Sequence, residues 1–146
     1  MSTAASRVVL CLCLLLPGLA GCSDTAEGTA SEPPAMVEEI EGSDVKKVTL
    51  TESAAEAISV ETAAVSAGAT KGELTIPYAA VIYYLDGSSW TYTAAAEREY
   101  VRVPITIKSI SGDVATLSSG PSAGTPVVVV GAPEVLGAEL EIDGEQ

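Results

Sequence analysis

The sequence predicts a mainly β protein: a small β-roll or barrel-like antiparallel domain with one short helix, preceded by a signal peptide and a disordered tether. Three observations carry this prediction. Apolar and polar residues alternate from Tyr100 to Lys108, the period of a strand. Asp86-Gly87 stands between two strand-like runs, which is a hairpin signal. The other apolar runs are short and punctuated by Gly, Pro and Ser, with no heptad and no internal repeat.

In chain order, residues 1–21 have the build of a cleaved secretory signal. Arg7 supplies the positive end and Val8 to Leu16 the apolar run, which Pro17 and Gly18 break before the small residues at the cut. Nine apolar residues fall far short of the roughly 20 that a spanning helix needs. Leu19-Ala20-Gly21-Cys22 resembles the lipobox of bacterial lipoproteins, where the cysteine is acylated and becomes the first mature residue. The resemblance implies lipidation, of the palmitate kind, at Cys22, and a protein anchored by lipid to the extracytoplasmic side of a membrane. The other reading is an ordinary signal followed by a free thiol. Cys11 and Cys13 leave with the signal on either reading, so no disulfide can form within the mature chain.

Beyond residue 21 the chain sets 20 Asp and Glu against six Lys and Arg, since Arg7 is the one basic residue removed. Such a chain repels nucleic acid and anionic lipid headgroups, so membrane contact is expected through acyl chains. Histidine, phenylalanine and asparagine are absent. Without His or a free thiol the usual transition-metal ligand sets, His-based triads and Cys nucleophiles cannot be assembled. No cofactor and no metal are expected.

Residues 22–44 hold seven acidic residues, no basic one, and Pro33-Pro34, and they read as a lipidated acidic tether. Glu38, Glu39, Glu41 and Asp44 lack the spacing of a calcium loop. The folded domain is expected over residues 45–138. Val48 and Leu50 alternate with Lys47 and Thr49 as on a strand, and Thr51 can cap a short helix over 51–58. Ser59 to Val65 alternates again, with Val60 and Thr62 on one face. Leu74 to Leu85 is a long apolar stretch with Pro77 near its start. After the Asp86-Gly87 turn, Trp90 and Tyr92 are expected inward and Thr91 and Thr93 outward. From Tyr100, one face takes Val101, Val103, Ile105 and Ile107, and the other Arg102, Pro104, Thr106 and Lys108. Pro104 cannot donate to a ladder, which predicts an edge or bulged strand. Ser111-Gly112-Asp113 turns the chain into Val114 to Leu117, and Gly120 to Pro126 is a loop. Val127 to Val130 is a fully apolar strand that Gly131-Ala132-Pro133 ends, and residues 139–146 read as a fraying acidic tail.

From Val48 onward these signals resemble the membrane-proximal domain of periplasmic adaptor subunits, the membrane fusion proteins of efflux pumps. The motifs are Ile76-Pro77-Tyr78-Ala79-Ala80-Val81, then Asp86-Gly87 and Trp90-Thr91-Tyr92, then Tyr100-Val101-Arg102-Val103, then Gly120 to Gly131 with Val127-Val128-Val129-Val130 inside it. Leu136 and Glu139 fall where the family has a short closing segment. Pro121 and Thr125 depart from the family's Leu and acidic residue. The helical hairpin, lipoyl-like and β-barrel domains of full adaptors have no room between Val65 and Leu74. The resemblance therefore implies the membrane-proximal domain alone, without the long conduit role.

Two function classes follow. One is a non-catalytic accessory lipoprotein of an efflux-type transporter, docking through the strand edge at Arg102 and Lys108 or the loop at Gly120 and Gly124. The alternative is a stand-alone ligand-binding or envelope-associated lipoprotein with Tyr78, Tyr83, Tyr84 or Trp90 lining a pocket, although such aromatics more often pack a core or a hairpin. No nucleophile motif, phosphate loop or aromatic-flanked carboxylate pair points to an enzyme.

Overall fold

The computed structural model describes residues 33–143, and the segment holding Leu19, Ala20, Gly21 and Cys22 lies outside the described residues, as do residues 144–146. In chain order the elements are β1 (Ala35–Glu39), β2 (Lys46–Leu50), α1 (Glu52–Ile58), β3 (Glu61–Ala64), β4 (Ser66–Ala67), β5 (Leu74–Pro77), a 3-10 turn (Tyr78–Ala80), β6 (Ile82–Tyr83), β7 (Ser89–Ala96), β8 (Glu99–Pro104), β9 (Thr106–Ser111), β10 (Val114–Ser119), β11 (Pro126–Val130) and α2 (Ala132–Asp143). The strands form two antiparallel sheets. The first runs β1-β2-β8-β7-β11-β3, with β6 beside the start of β7, and the second runs β4-β5-β10-β9. The fold is mainly β, as predicted, and its sheets are open rather than closed into a barrel.

Three layers result, because the first sheet is covered on both faces. On one face, Val48, Leu50, Tyr92, Tyr100 and Val128 pack against Ala54, Ala55 and Ile58 of α1 and Ala132 and Val135 of α2. On the other, Val127 joins Ile76, Ala115 and Leu117 of the second sheet, together with Val65, Ala80 and Ile105. β11 lies between these two cores, which is why its sequence is continuously apolar: Val127 and Val128 point opposite ways and both are fully buried.

The helix expected over 51–58 is α1. Thr51 Oγ1 accepts the Ala54 N–H at 3.3 Å, and Ser59 closes the last turn in the left-handed region. Both expected hairpin turns form. Gly87, at φ 84°, joins β6 to β7, and Gly112 lies between β9 and β10.

Four expectations need correction. The first is the tether, because β1 (Ala35–Glu39) is already a strand ahead of residue 45. The acidic charge that reads as disorder is matched across the ladder: Glu38 and Glu39 stand opposite Lys47 and Lys46, with a Lys47–Glu38 ion pair of 2.6 Å. The Glu38 carboxylate holds the half-buried Lys47 ammonium above its usual pKa.

The second is the acidic tail. Helix α2 runs through residue 143, and Glu139 is buried. Pro133 does not stop the chain, since proline is tolerated in a first helical turn, where Glu134 also suits the positive end of the helix dipole.

The third and fourth concern faces. Thr91 and Thr93 are buried, not outward, because the second sheet covers that side of the first. Along β8 it is Tyr100 and Arg102 that are buried toward the helices, while Val101 and Val103 are half-buried on the opposite face. Alternation alone does not separate inside from outside on a strand covered on both faces. β8 is also interior, between β2 and β7, and of the run from Tyr100 to Lys108 it is the part in β9 that lies at an edge. Pro104 ends β8, and at Ile105 the chain crosses from the first sheet to the second.

Gly131 seats α2 beside α1. Its φ is +87°, and an added Cβ would run into Ile58 Cγ2. Left-handed backbone costs a residue with a Cβ about 1–2 kcal/mol, and overpacking adds about 1–3 kcal/mol. Gly131→Ala should therefore lower the thermal midpoint by many degrees in calorimetry, whereas Gly87→Ala, whose Cβ meets nothing within 4 Å, should lose only the backbone part.

Candidate functional site

The polar centre of the domain is assembled from β7, β8 and α2. Tyr92 and Arg102 are cross-strand partners and point to the helix side of the first sheet. Helix α2 lays Glu139 over them. Arg102 Nη2 donates to Glu139 Oε1 at 3.0 Å, and the Tyr92 hydroxyl donates to Glu139 Oε2. Relative exposure is 8% for Arg102, 2% for Glu139 and 0% for Tyr92. Burial, and then the hydrogen bond to the Glu139 carboxylate, push the Tyr92 phenol far above its ordinary pKa, so it remains a neutral donor.

The guanidinium of Arg102 also lies between two rings, 4.8 Å from the centroid of Tyr84 and 4.7 Å from that of Trp90. Such a contact contributes about 0.5–1 kcal/mol at an exposed site and about 2 kcal/mol when desolvated. Trp90 is fixed in turn, since its Nε1 donates to Ser88 Oγ at 2.6 Å, and Ser88 donates its N–H and its hydroxyl to Asp86 Oδ1. These bonds from Ser88 hold the Asp86 carboxyl below its usual pKa. One chain of contacts thus runs from helix α2 to the tip of the β6–β7 hairpin. Both carboxylate oxygens of Glu139 are engaged, and Arg102 Nε is buried with no partner among the described residues. The arrangement pins a helix and a hairpin to the sheet.

The docking residues expected from the sequence fall in different settings. Arg102 is interior and ion-paired, which corrects its assignment to an exposed edge. Lys108 is exposed on the edge strand β9 and pairs with Glu73, whose carboxyl it holds below the ordinary pKa. Gly120 is packed: a Cβ there would lie 3.0 Å from Leu117 Cδ1 and 3.3 Å from Ile105 Cγ2. Gly124 is exposed in a loop stitched to Val65 by Gly124 N–H to Val65 O and Val65 N–H to Thr125 O.

The aromatic residues divide. Tyr84 and Trp90 hold Arg102, while Tyr78 and Tyr83 face outward at 41% and 53% exposure. Two open grooves are lined elsewhere. One, of about 520 Å³, lies among Pro33, Met36, Leu50, Thr51 and Arg98. The other, of about 540 Å³, runs beside α1 past Glu56, Val60 and Tyr100. Arg98 and Glu52, 3.8 Å apart, border both. Among the described residues no three Asp, Glu, Cys or His side chains gather to hold a metal ion, and no helix is long and apolar enough to cross a membrane.

Sequence reasoning missed Glu139 as a site residue. Its signal was the spacing Ala132, Val135, Leu136, Glu139 behind Pro133-Glu134, a helical stripe with one carboxylate on its buried side. Compared with protein-family models, with curated proteins and with solved structures, the chain gives no match in any of the three. What defines it is its own geometry: an open two-sheet domain with two helices, closed by a buried Arg–Glu–Tyr centre.

Breaking a buried ion pair on one side costs about 3–5 kcal/mol, because the remaining charge is left uncompensated. Glu139→Ala should cost that much in urea unfolding monitored by Trp90 fluorescence. The double variant Arg102→Met with Glu139→Leu should recover part of the loss, since it leaves no charge behind but strands the buried Tyr92 hydroxyl at a cost of about 1–3 kcal/mol.

Proposed function

We propose that this protein is a non-catalytic, lipid-anchored accessory subunit of an efflux-type membrane transporter. The observation that carries the reading is Leu19-Ala20-Gly21-Cys22 placed only 13 residues before the first strand. A fully extended stretch of that length spans about 45 Å, so an acyl group on Cys22 would keep the domain close to the bilayer. Tethering in one membrane raises the effective concentration at a partner there, and a weak contact then suffices.

The transporter part of the reading rests on the order of motifs from Ile76-Pro77 to Gly131, which resembles the membrane-proximal domain of efflux adaptors. Between Val65 and Leu74 stand only β4 and a short turn, so the parts of a full adaptor that reach a distant channel have no place there. The role would be docking beside the transporter at the membrane.

A second reading, a ligand-binding lipoprotein, is favoured by the groove among Pro33, Met36, Leu50 and Arg98, which offers apolar walls and one cation. The aromatics expected to line such a site do not line it.

The test is fractionation followed by affinity recovery. Wild-type protein should remain with membranes after a high-salt wash and carry acyl label, and Cys22→Ala should lose both. Detergent extracts of the wild type should then co-purify a transport protein. Persistent membrane attachment of Cys22→Ala would contradict the anchor. Repeated recovery of the protein without any transporter, together with a small molecule retained in the groove, would favour the second reading.

A further inference from the structure

The contact surface expected from the sequence is dispersed in the structure, and a different one takes its place. The β6–β7 hairpin carries Leu85 at its tip, fully exposed at 101%, two residues from Tyr83. Tyr78 lies against Tyr83, and the neighbouring Tyr78 hydroxyl holds the Tyr83 phenol above its ordinary pKa. The Tyr78 N–H donates to Asp113 O, which places Val114, 45% exposed, beside this group. Large apolar side chains gathered at one end of a domain are uncommon on a free surface. Tyrosine is also the residue type that most often anchors protein contacts.

The tip is not a loose loop. Tyr84 N–H donates to Ser88 O, Gly87 N–H to Tyr84 O, and Asp86 accepts twice from Ser88. Trp90 and Arg102 hold the base of the hairpin from beneath. A surface braced in this way loses little conformational entropy when it binds.

Two observations decide what covers it. The first is direction. Ala35 pairs with Leu50, and the Leu50 N–H donates to Arg98 O, so the chain leaves the first sheet at the β7–β8 turn. Trp90, at the hairpin end, pairs with Pro104 at the far end of β8. The length of β8, about 20 Å, separates the tip from the end at which β1 begins. The described chain therefore enters the sheet at the end away from the tip. The second is charge. Asp86 and Asp113 border the tip, and Arg102, the cation that acts on the Asp86 carboxyl, is buried against Glu139.

We infer that the Tyr78–Tyr83–Leu85 tip docks a protein surface with an apolar centre and a basic rim. The inference stands on geometry and charge. It deepens the proposed function where that partner is a transporter, and it holds for any other protein of this chemistry.

The test places a photoreactive benzoyl-phenylalanine at position 85 of the full chain, expressed in its native membrane, with the same probe at Ile110 on β9 as a comparison. Position 85 should give a protein adduct, and position 110 should give at least tenfold less. Mapping should find the crosslinked peptide apolar and flanked by Lys or Arg. Tyr83→Ser and Asp86→Lys should each reduce the yield at least fivefold while the thermal midpoint of the folded domain stays within a few degrees. An adduct to lipid, equal yields at both positions, a crosslinked peptide without basic flanks, or no adduct at position 85 would each overturn the inference. An adduct of the expected chemistry on a protein that transports nothing would leave the tip in place and remove the transporter reading instead.

Discussion

The buried contact between Arg102 and Glu139 is the constraint on which the rest of this structure depends. Neither charge is at home in an apolar layer, and each is there because the other is. Arg102 sits on an interior strand, so its cation can be met only from above the sheet. Helix α2 supplies the carboxylate, and in doing so covers Val48, Tyr92 and Val128 with Val135. Tyr84 and Trp90 close over the guanidinium from the hairpin side. One ionic centre thus fixes the positions of a helix and a hairpin that share no sequence neighbourhood.

How much of this was legible in the sequence follows from what each residue had to satisfy. Strands and tight turns depend on local chemistry, so Asp86-Gly87, Gly112 and the Thr51 cap were readable directly. The faces were not. On β8 the alternation was seen correctly, yet both sides are covered, and the valines lie toward the second sheet while the arginine lies toward the helices. β1 was hidden for a related reason. Its glutamates signal disorder only until Lys46 and Lys47 are placed opposite them, and that pairing requires the ladder. Glu139 was taken as part of a tail because acidic residues near an end are usually solvated. Its burial depends on Arg102, 37 residues upstream, which no local pattern encodes.

The same reasoning separates exposed surface from interior for function. A basic residue on an alternating strand suggested a docking edge, but it is spent inside the domain. Lysine 108, the exposed cation of that run, is held by Glu73. The hairpin tip stays outward with its tyrosines and Leu85, at the end of the sheet away from the start of β1.

Native-state hydrogen exchange tests the central claim most directly, because it reads the stability of α2 and of the sheet separately. If Arg102 and Glu139 make helix and sheet one cooperative unit, the amides of α2 from Val135 to Glu139 should exchange with the same opening free energy as those of β7 and β8. Glu139→Gln should lower both together. Fast exchange across α2 in the wild type, with β7 and β8 still fully protected, would contradict the account.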